Sequence, residues 1–146
     1  MKYYHYELKV RKVGKIPTKK WNKTEDVVSL VRQICYSDKT IEIYESVWLL
    51  LLNHNQKLKG IAKIGQGGIT GCLIDKRLVC KYAIESLSTN CILVHNHPSG
   101  NLQPSIEDKK ITKKIKIALS HFDIVLLDHL IITVDSYYSF SVAKKL

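Results

Sequence analysis

Two histidines one residue apart, His95 and His97, are followed after seven residues by Ser105, and three residues later by Asp108. In an extended segment residues i and i+2 point to the same side, so both imidazoles can approach one ion. Asp108 falls within what would be the first turn of a helix, from which its carboxylate could swing back over the histidines. Two neutral imidazoles and one carboxylate make a three-ligand zinc set with a fourth position left for water, the arrangement of a catalytic rather than a structural site. Zinc in such a site brings the pKa of water down to about 7 and polarises carbonyl oxygens. Fe²⁺ or Mn²⁺ could load the same nitrogen and oxygen donors in vitro. Each half of the pattern also has a plainer explanation. Ser105-x-x-Asp108 is a capping box, whose acid satisfies a backbone N–H, and H-x-H alone is a weak signal. Their combination at a strand-to-helix turn is much less expected by chance.

The surrounding elements must deliver these residues. Cys91-Ile92-Leu93-Val94 reads as a short buried strand leading to His95. Pro98 cannot donate a sheet hydrogen bond and Ser99-Gly100 permits a sharp turn, so the chain should leave the sheet just after His97. A helix over residues 105–120 follows, with Ile106, Ile111, Ile115, Ala118 and Leu119 inward and Lys109, Lys110, Lys113, Lys114 and Lys116 outward. Upstream, residues 3–13 read as an edge strand that could pair between subunits of a homodimer, and residues 14–22 as a loop. Thr24 offers a hydroxyl N-cap, with acids in the first turn, to a helix over residues 25–36, which Ser37-Asp38-Lys39 ends. Residues 41–53 read as a central strand, 54–57 as a turn and 58–64 as the returning strand of a hairpin. Gly65-Gln66-Gly67-Gly68 is a bend with close backbone approach; no G-K-[ST] follows, which excludes a P-loop. Asp75 can begin a helix whose apolar stripe is Leu78, Val79, Tyr82, Ala83 and Leu87. Residues 124–134 and 137–142 are the closing strands. Strand, helix, hairpin, helix, strand, helix, hairpin argues for one α/β domain with a mixed sheet covered by helices.

Composition is that of an ordinary globular chain, with 45% hydrophobic and 25% charged residues in 146. No apolar run reaches the about 20 residues that span a bilayer, and the first residues lack an apolar signal-peptide core; the cytoplasm is the default location. Cys35, Cys72, Cys80 and Cys91 form no C-x-x-C pair and read as buried free thiols. The net charge of +10 is uneven: residues 1–40 carry ten Lys/Arg against four Asp/Glu. Such a basic N-terminal third could attract nucleic acid or another polyanion. Aromatic residues, at 8%, do not interleave with it as a stacking platform would require.

His95-x-His97-x(7)-Ser105-x-x-Asp108 resembles the JAMM (MPN-domain) metalloprotease motif. The wider string Val94-His95-Asn96-His97-Pro98-Ser99-Gly100, then Pro104-Ser105-x-x-Asp108, then Leu127-Asp128-His129-Leu130-Ile131-Ile132, is similar to the C-terminal domain of bacterial RadC proteins. The resemblance implies a single JAMM/MPN-like domain over residues 1–146, with a basic strand and loop at 1–23 and the core at 24–143. The fold it implies is mixed α+β of cytidine-deaminase-like architecture. It also implies one zinc ion per chain on His95, His97 and Asp108, and hydrolysis of an amide bond in a peptide or protein substrate by a metallopeptidase or isopeptidase. The family's motif requires an upstream Glu as general base that takes the proton of a metal-activated water. Glu42, Glu45, Asp75 and Glu85 are the acids between residues 41 and 90. Glu85 falls within a helix. Glu45 would share a face with Ile43, Val47, Leu49 and Leu51, and Glu42 would point the other way. A core-facing carboxylate needs a compensating partner, and burial would raise its pKa toward proton shuttling. The residues alone leave Glu45 and Glu42 hard to separate; the resemblance selects Glu45. Ser105 would then donate a hydrogen bond to the oxyanion. Asp128 and His129 form a second polar pair, either a structural pair on a strand or support for the ligands from behind.

Two other classes compete. Full-length RadC proteins carry an N-terminal helix-hairpin-helix region, for which this sequence leaves no room, so a DNA role borrowed from that region lapses. A DNA-repair-associated accessory protein with a structural or vestigial metal site would instead bind nucleic acid through the basic third, with steep salt dependence. Glu45 and Ser105 favour the hydrolase, since a structural site needs neither. A zinc nucleobase deaminase needs H-x-E and P-C-x-x-C, which are absent.

Overall fold

A computed structural model describes residue 14 and residues 23–36, 39–68 and 71–146. The expected edge strand over residues 3–13, nearly all of the loop after it, and residues 37–38 lie outside the described residues. Helix α1 spans Thr24–Cys35. Its N-cap position falls on Lys23 rather than Thr24, and Asp26 accepts the Lys23 backbone N–H at 3.3 Å. Strands β1 (Ser46–Leu52) and β2 (Leu58–Gln66) form the hairpin. Helix α2 (Lys76–Glu85), capped by Asp75, leads to β3 (Asn90–Asn96). Helix α3 (Ile106–Ser120), β4 (Val125–Ile132) and β5 (Tyr137–Ser139) complete the order.

The sheet runs β2-β1-β3-β4-β5. Among the described strands only β3 and β4 are parallel, and α3 makes the crossover that parallel neighbours require. Each face of the sheet has its own core. Val47, Leu49, Leu51, Cys91 and Leu93 pack against Val79 and Ala83 of α2 and Ile115 and Leu119 of α3. Leu50, Leu52, Ile92, Val94, Leu130 and Ile132 pack against Val27, Val28 and Val31 of α1. All seven residues of β3 are buried, as a strand covered on both faces must be. The mixed sheet flanked by helices is the expected architecture.

Several local expectations need correction. The central strand begins at Ser46, not at 41, because residues Thr40–Glu42 form a 3₁₀ turn and Ile43 is exposed. Ile106, Leu78 and Leu87 point to solvent: Ile106 opens α3 above the sheet, and Leu87 lies past the end of α2 in a left-handed turn. Cys35 and Cys91 are buried, and burial pushes both thiols up to about 12, but Cys72 and Cys80 are only half-buried. The last strand stops at Ser139 and a turn follows. The glycine bend has its expected cause, since a Cβ on Gly67 would come within 1.8 Å of the Gly71 carbonyl oxygen.

Asn96 ties the approach to β1 onto the end of β3. Its amide nitrogen donates to the carbonyls of Ile41 (2.7 Å) and Tyr44 (2.8 Å), and its oxygen accepts the Ser46 backbone N–H (2.8 Å). Those three bonds pin residues 41–46, the segment that carries Glu45. Asn96→Asp keeps the acceptor for Ser46 but turns two carbonyls against a carboxylate. It should cost about 2 kcal/mol or more in a urea unfolding curve and speed amide exchange at Ser46; a stability and protection equal to wild type would contradict the clamp.

Candidate metal centre

Strand β3 delivers His95 in its last two residues, and His97 follows directly, its N–H bonded to the Ile132 carbonyl at 3.1 Å. The alternation of a strand sends Asn96 to the α1 side and both imidazoles to the α3 side. Gly100, with φ +78, completes the turn that returns the chain over the rings. Pro104 is buried and Ser105 caps α3, which places Asp108 in its first turn.

There the expected ligands meet. His95 Nε2 and His97 Nε2 are 2.9 Å apart, His95 Nε2 is 3.2 Å from Asp108 Oδ1, and His97 Nε2 is 3.5 Å from Asp108 Oδ2. Each residue offers one donor atom, and these lie within 4.8 Å of one another. His97 Nδ1 donates to the Asn101 carbonyl at 2.6 Å, which leaves its Nε2 as the bare nitrogen. Lone pairs of two imidazoles and a carboxylate therefore converge, and only a proton or a cation can hold them together. The spacing suits donors that share one ion through bonds of about 2.0–2.2 Å, so the residues fit a metal ion.

Electrostatics agree. Burial pushes the Asp108 carboxyl up, but its interactions with the facing His95 and His97 rings and with the Ser105 side chain outweigh it and hold the group well below the usual carboxylate range. Burial works to lower the His97 pKa, yet the Asp108 bond, the Asn101 carbonyl and the charge of Glu45 leave it above its ordinary 6.5.

The capping box and the ligand geometry coexist. Asp108 Oδ2 accepts the Ser105 backbone N–H at 2.7 Å, and Ser105 Oγ accepts the Asp108 N–H at 2.9 Å. The cap uses a lone pair of the Ser105 hydroxyl, and the same exposed side chain helps hold the Asp108 carboxyl low.

Glu45 precedes β1 and is half-buried rather than core-facing. Its backbone extends the β1–β2 ladder, donating to the Gly68 carbonyl (3.1 Å) and accepting from the Gly67 N–H (2.8 Å). The β1–β3 register pairs Val47 with His95, so two residues earlier Glu45 stands across from His97. Glu42, by contrast, is exposed on the 3₁₀ turn, and Glu85 is exposed at the end of α2.

Asp128 and His129 separate. Asp128 accepts from Ser139 Oγ (2.6 Å) and from the backbone N–H groups of His129 (2.7 Å) and Ser141 (3.0 Å), tying β4 to the turn after β5. Burial raises its pKa against those bonds. His129 sits behind the metal cluster, with Nε2 2.8 Å from His95 Nδ1 and Nδ1 2.6 Å from Thr112 Oγ1. Burial, then the charge of His95, keeps it well below the usual histidine range. Sequence reasoning missed Thr112 and Asn96. Thr112 stands four residues after Asp108, on the same helix face, and strand alternation could have marked Asn96.

Fold and cluster together define a mixed α/β domain that displays a His-x-His pair at the exit of a buried strand and an acid on the helix that follows. The family model of the RadC-like JAB domain matches residues 21–146. The chain belongs to that family. A UPF0758 protein of Flavobacterium johnsoniae is 52% identical over 97 residues, covering 66% of this chain and 42% of its own length. A UPF0758 protein of Streptococcus gordonii is 44% identical over 96 residues, with the same coverages. One from Porphyromonas gingivalis is 38% identical over 98 residues. The chain thus spans less than half the length of the curated relatives it matches. Among the described residues no helix is long and apolar enough to cross a membrane.

The His97 shift has a consequence for metal uptake. Below its pKa, which lies above 6.5, a proton occupies Nε2 and competes with a cation, while Asp108 stays ionised. Zinc affinity, read by competition with a chromophoric chelator, should fall as the pH is lowered from about 8 to about 5.5. A flat profile would contradict this.

Proposed function

We propose that this chain is a zinc-dependent metallohydrolase, a metallopeptidase or isopeptidase that cleaves an amide bond. The observation that carries the reading is the convergence of His95 Nε2, His97 Nε2 and both Asp108 oxygens, with Glu45 across from His97. Membership of the RadC-like JAB family supports it. Zinc, which suits two imidazoles and a carboxylate, would be held by these three residues and would supply Lewis acidity toward a water and a substrate carbonyl.

The chain's own groups supply the proton handling. Glu45 accepts the proton of the attacking water on its carboxylate and passes it to the leaving amine nitrogen. Its half-buried position at the start of β1 gives it both a fixed backbone and access to solvent. Ser105 turns its hydroxyl hydrogen from the Asp108 carboxylate to the oxygen that gains charge as the carbonyl becomes tetrahedral. Its cap bond to the Asp108 N–H holds that hydroxyl in place. The turn over residues 97–101, closed by the Gly100 N–H to His97 carbonyl bond at 3.0 Å, holds His97 beside Asp108.

Elemental analysis of protein purified without chelator should find about one zinc per chain, and His97→Ala should lose it. Glu45→Gln should keep the metal and lose hydrolysis of a peptide and isopeptide library by about 10²–10⁴-fold. Absence of any bound transition metal, or full activity in Glu45→Gln, would defeat the reading.

A further inference from the structure

The nitrogen that His95 turns toward the cluster is decided behind its ring. Thr112 lies four residues beyond Asp108 on α3, and its hydroxyl oxygen is 2.6 Å from the Asp108 backbone carbonyl oxygen. A carbonyl only accepts, so the one hydroxyl hydrogen of Thr112 is committed there. The same hydroxyl oxygen is 2.6 Å from His129 Nδ1 and must accept, which puts a hydrogen on Nδ1. His129 is fully buried, and its ring stacks on Phe140 at 4.9 Å and 8°. With no water to solvate a second proton, the ring is neutral and its Nε2 is bare. That bare nitrogen is 2.8 Å from His95 Nδ1, which must donate. His95 is left with a lone pair on Nε2, the atom that faces His97 and Asp108.

We propose that Thr112 and His129 are positioning residues that form a one-directional hydrogen-bond relay, locking His95 in its Nδ1–H tautomer so that Nε2 presents its lone pair to a metal ion. The role rests on the reading of His95, His97 and Asp108 as ligands. The other neutral tautomer would put a hydrogen in the middle of the ligand set. His97 needs no relay, because the Asn101 carbonyl fixes its tautomer directly. The relay also closes on itself. It begins at the backbone carbonyl of Asp108 and ends at a nitrogen 3.2 Å from the carboxylate of the same residue.

The test uses the full chain labelled with 15N. Long-range nitrogen–hydrogen NMR correlations of the imidazoles, recorded before zinc is added, report which nitrogen of each ring carries hydrogen. Wild type should show His95 and His129 both with hydrogen on Nδ1 and a bare Nε2. Thr112→Val removes the hydroxyl at constant volume; it should release both rings into tautomer mixtures and weaken zinc binding measurably. Thr112→Ser should restore both the signature and the affinity, which repair of packing alone would not achieve. His129→Phe keeps an aromatic ring on Phe140 but removes both nitrogens, and should weaken zinc binding by about 10–100-fold. Should that variant fail to fold, the Thr112 pair decides. Hydrogen on Nε2 of His95 in wild type would overturn the relay, as would Thr112→Val with unchanged shifts and affinity. A wild-type chain that binds no zinc would remove the ligand reading, and the positioning role with it, while the nitrogen shifts would still show whether the hydrogen order exists.

Discussion

The structure depends on the alternation of three consecutive residues at the end of a strand buried on both faces. Helices α2 and α3 cover one face of β3 and α1 the other, so its side chains have no free side to choose. His95 and His97 go to the α3 face and Asn96 to the α1 face. A slip of one residue would exchange the two clustered imidazoles for an amide and leave the segment before β1 unanchored. The two faces therefore do complementary work. One gathers the ligands, and the other fixes the backbone that carries Glu45. The antiparallel register of Val47 with His95 joins them, since it sets how far along β1 the acid stands from the histidines.

Asp108 shows why a capping box and a metal ligand are not rival explanations. A carboxylate has about four lone-pair sites, and the cap takes one of them. Oδ2 holds the Ser105 N–H and still faces His97, while Oδ1 faces His95. The N-terminus of a helix favours an anion there, so α3 stabilises the ionised form before any cation enters. The cap also fixes the rotation of the first turn, and with it the direction in which the carboxylate points.

Much of this was legible in the residues. Strand periodicity and the H-x-H spacing placed two imidazoles on one face, and the S-x-x-D pattern placed the acid on the following helix. The order of helices and strands followed from apolar spacing. What was not legible depended on contacts distant in sequence. Residues 41–44 have the composition of a strand, yet they lie outside the sheet, with the carbonyls of Ile41 and Tyr44 held by the side chain of Asn96, distant in sequence. Ile106 fits a helical stripe, but as the first residue of α3 it stays exposed. Asp128 and His129 look like one polar pair. Strand alternation splits them, so that one organises the turn after β5 and the other backs His95.

The two histidines are held in different ways, and the difference divides rigidity between them. His97 is anchored by a carbonyl four residues along its own loop, in a half-buried position. His95 is buried, and its Nδ1 leans on β4 through His129 and from there on α3 through Thr112. Moving its ring would break hydrogen bonds between groups that no water can reach, a cost of about 1–3 kcal/mol for each one left unpaired. The inner histidine is thus built into the packing of the sheet and helix, and the outer one into a turn.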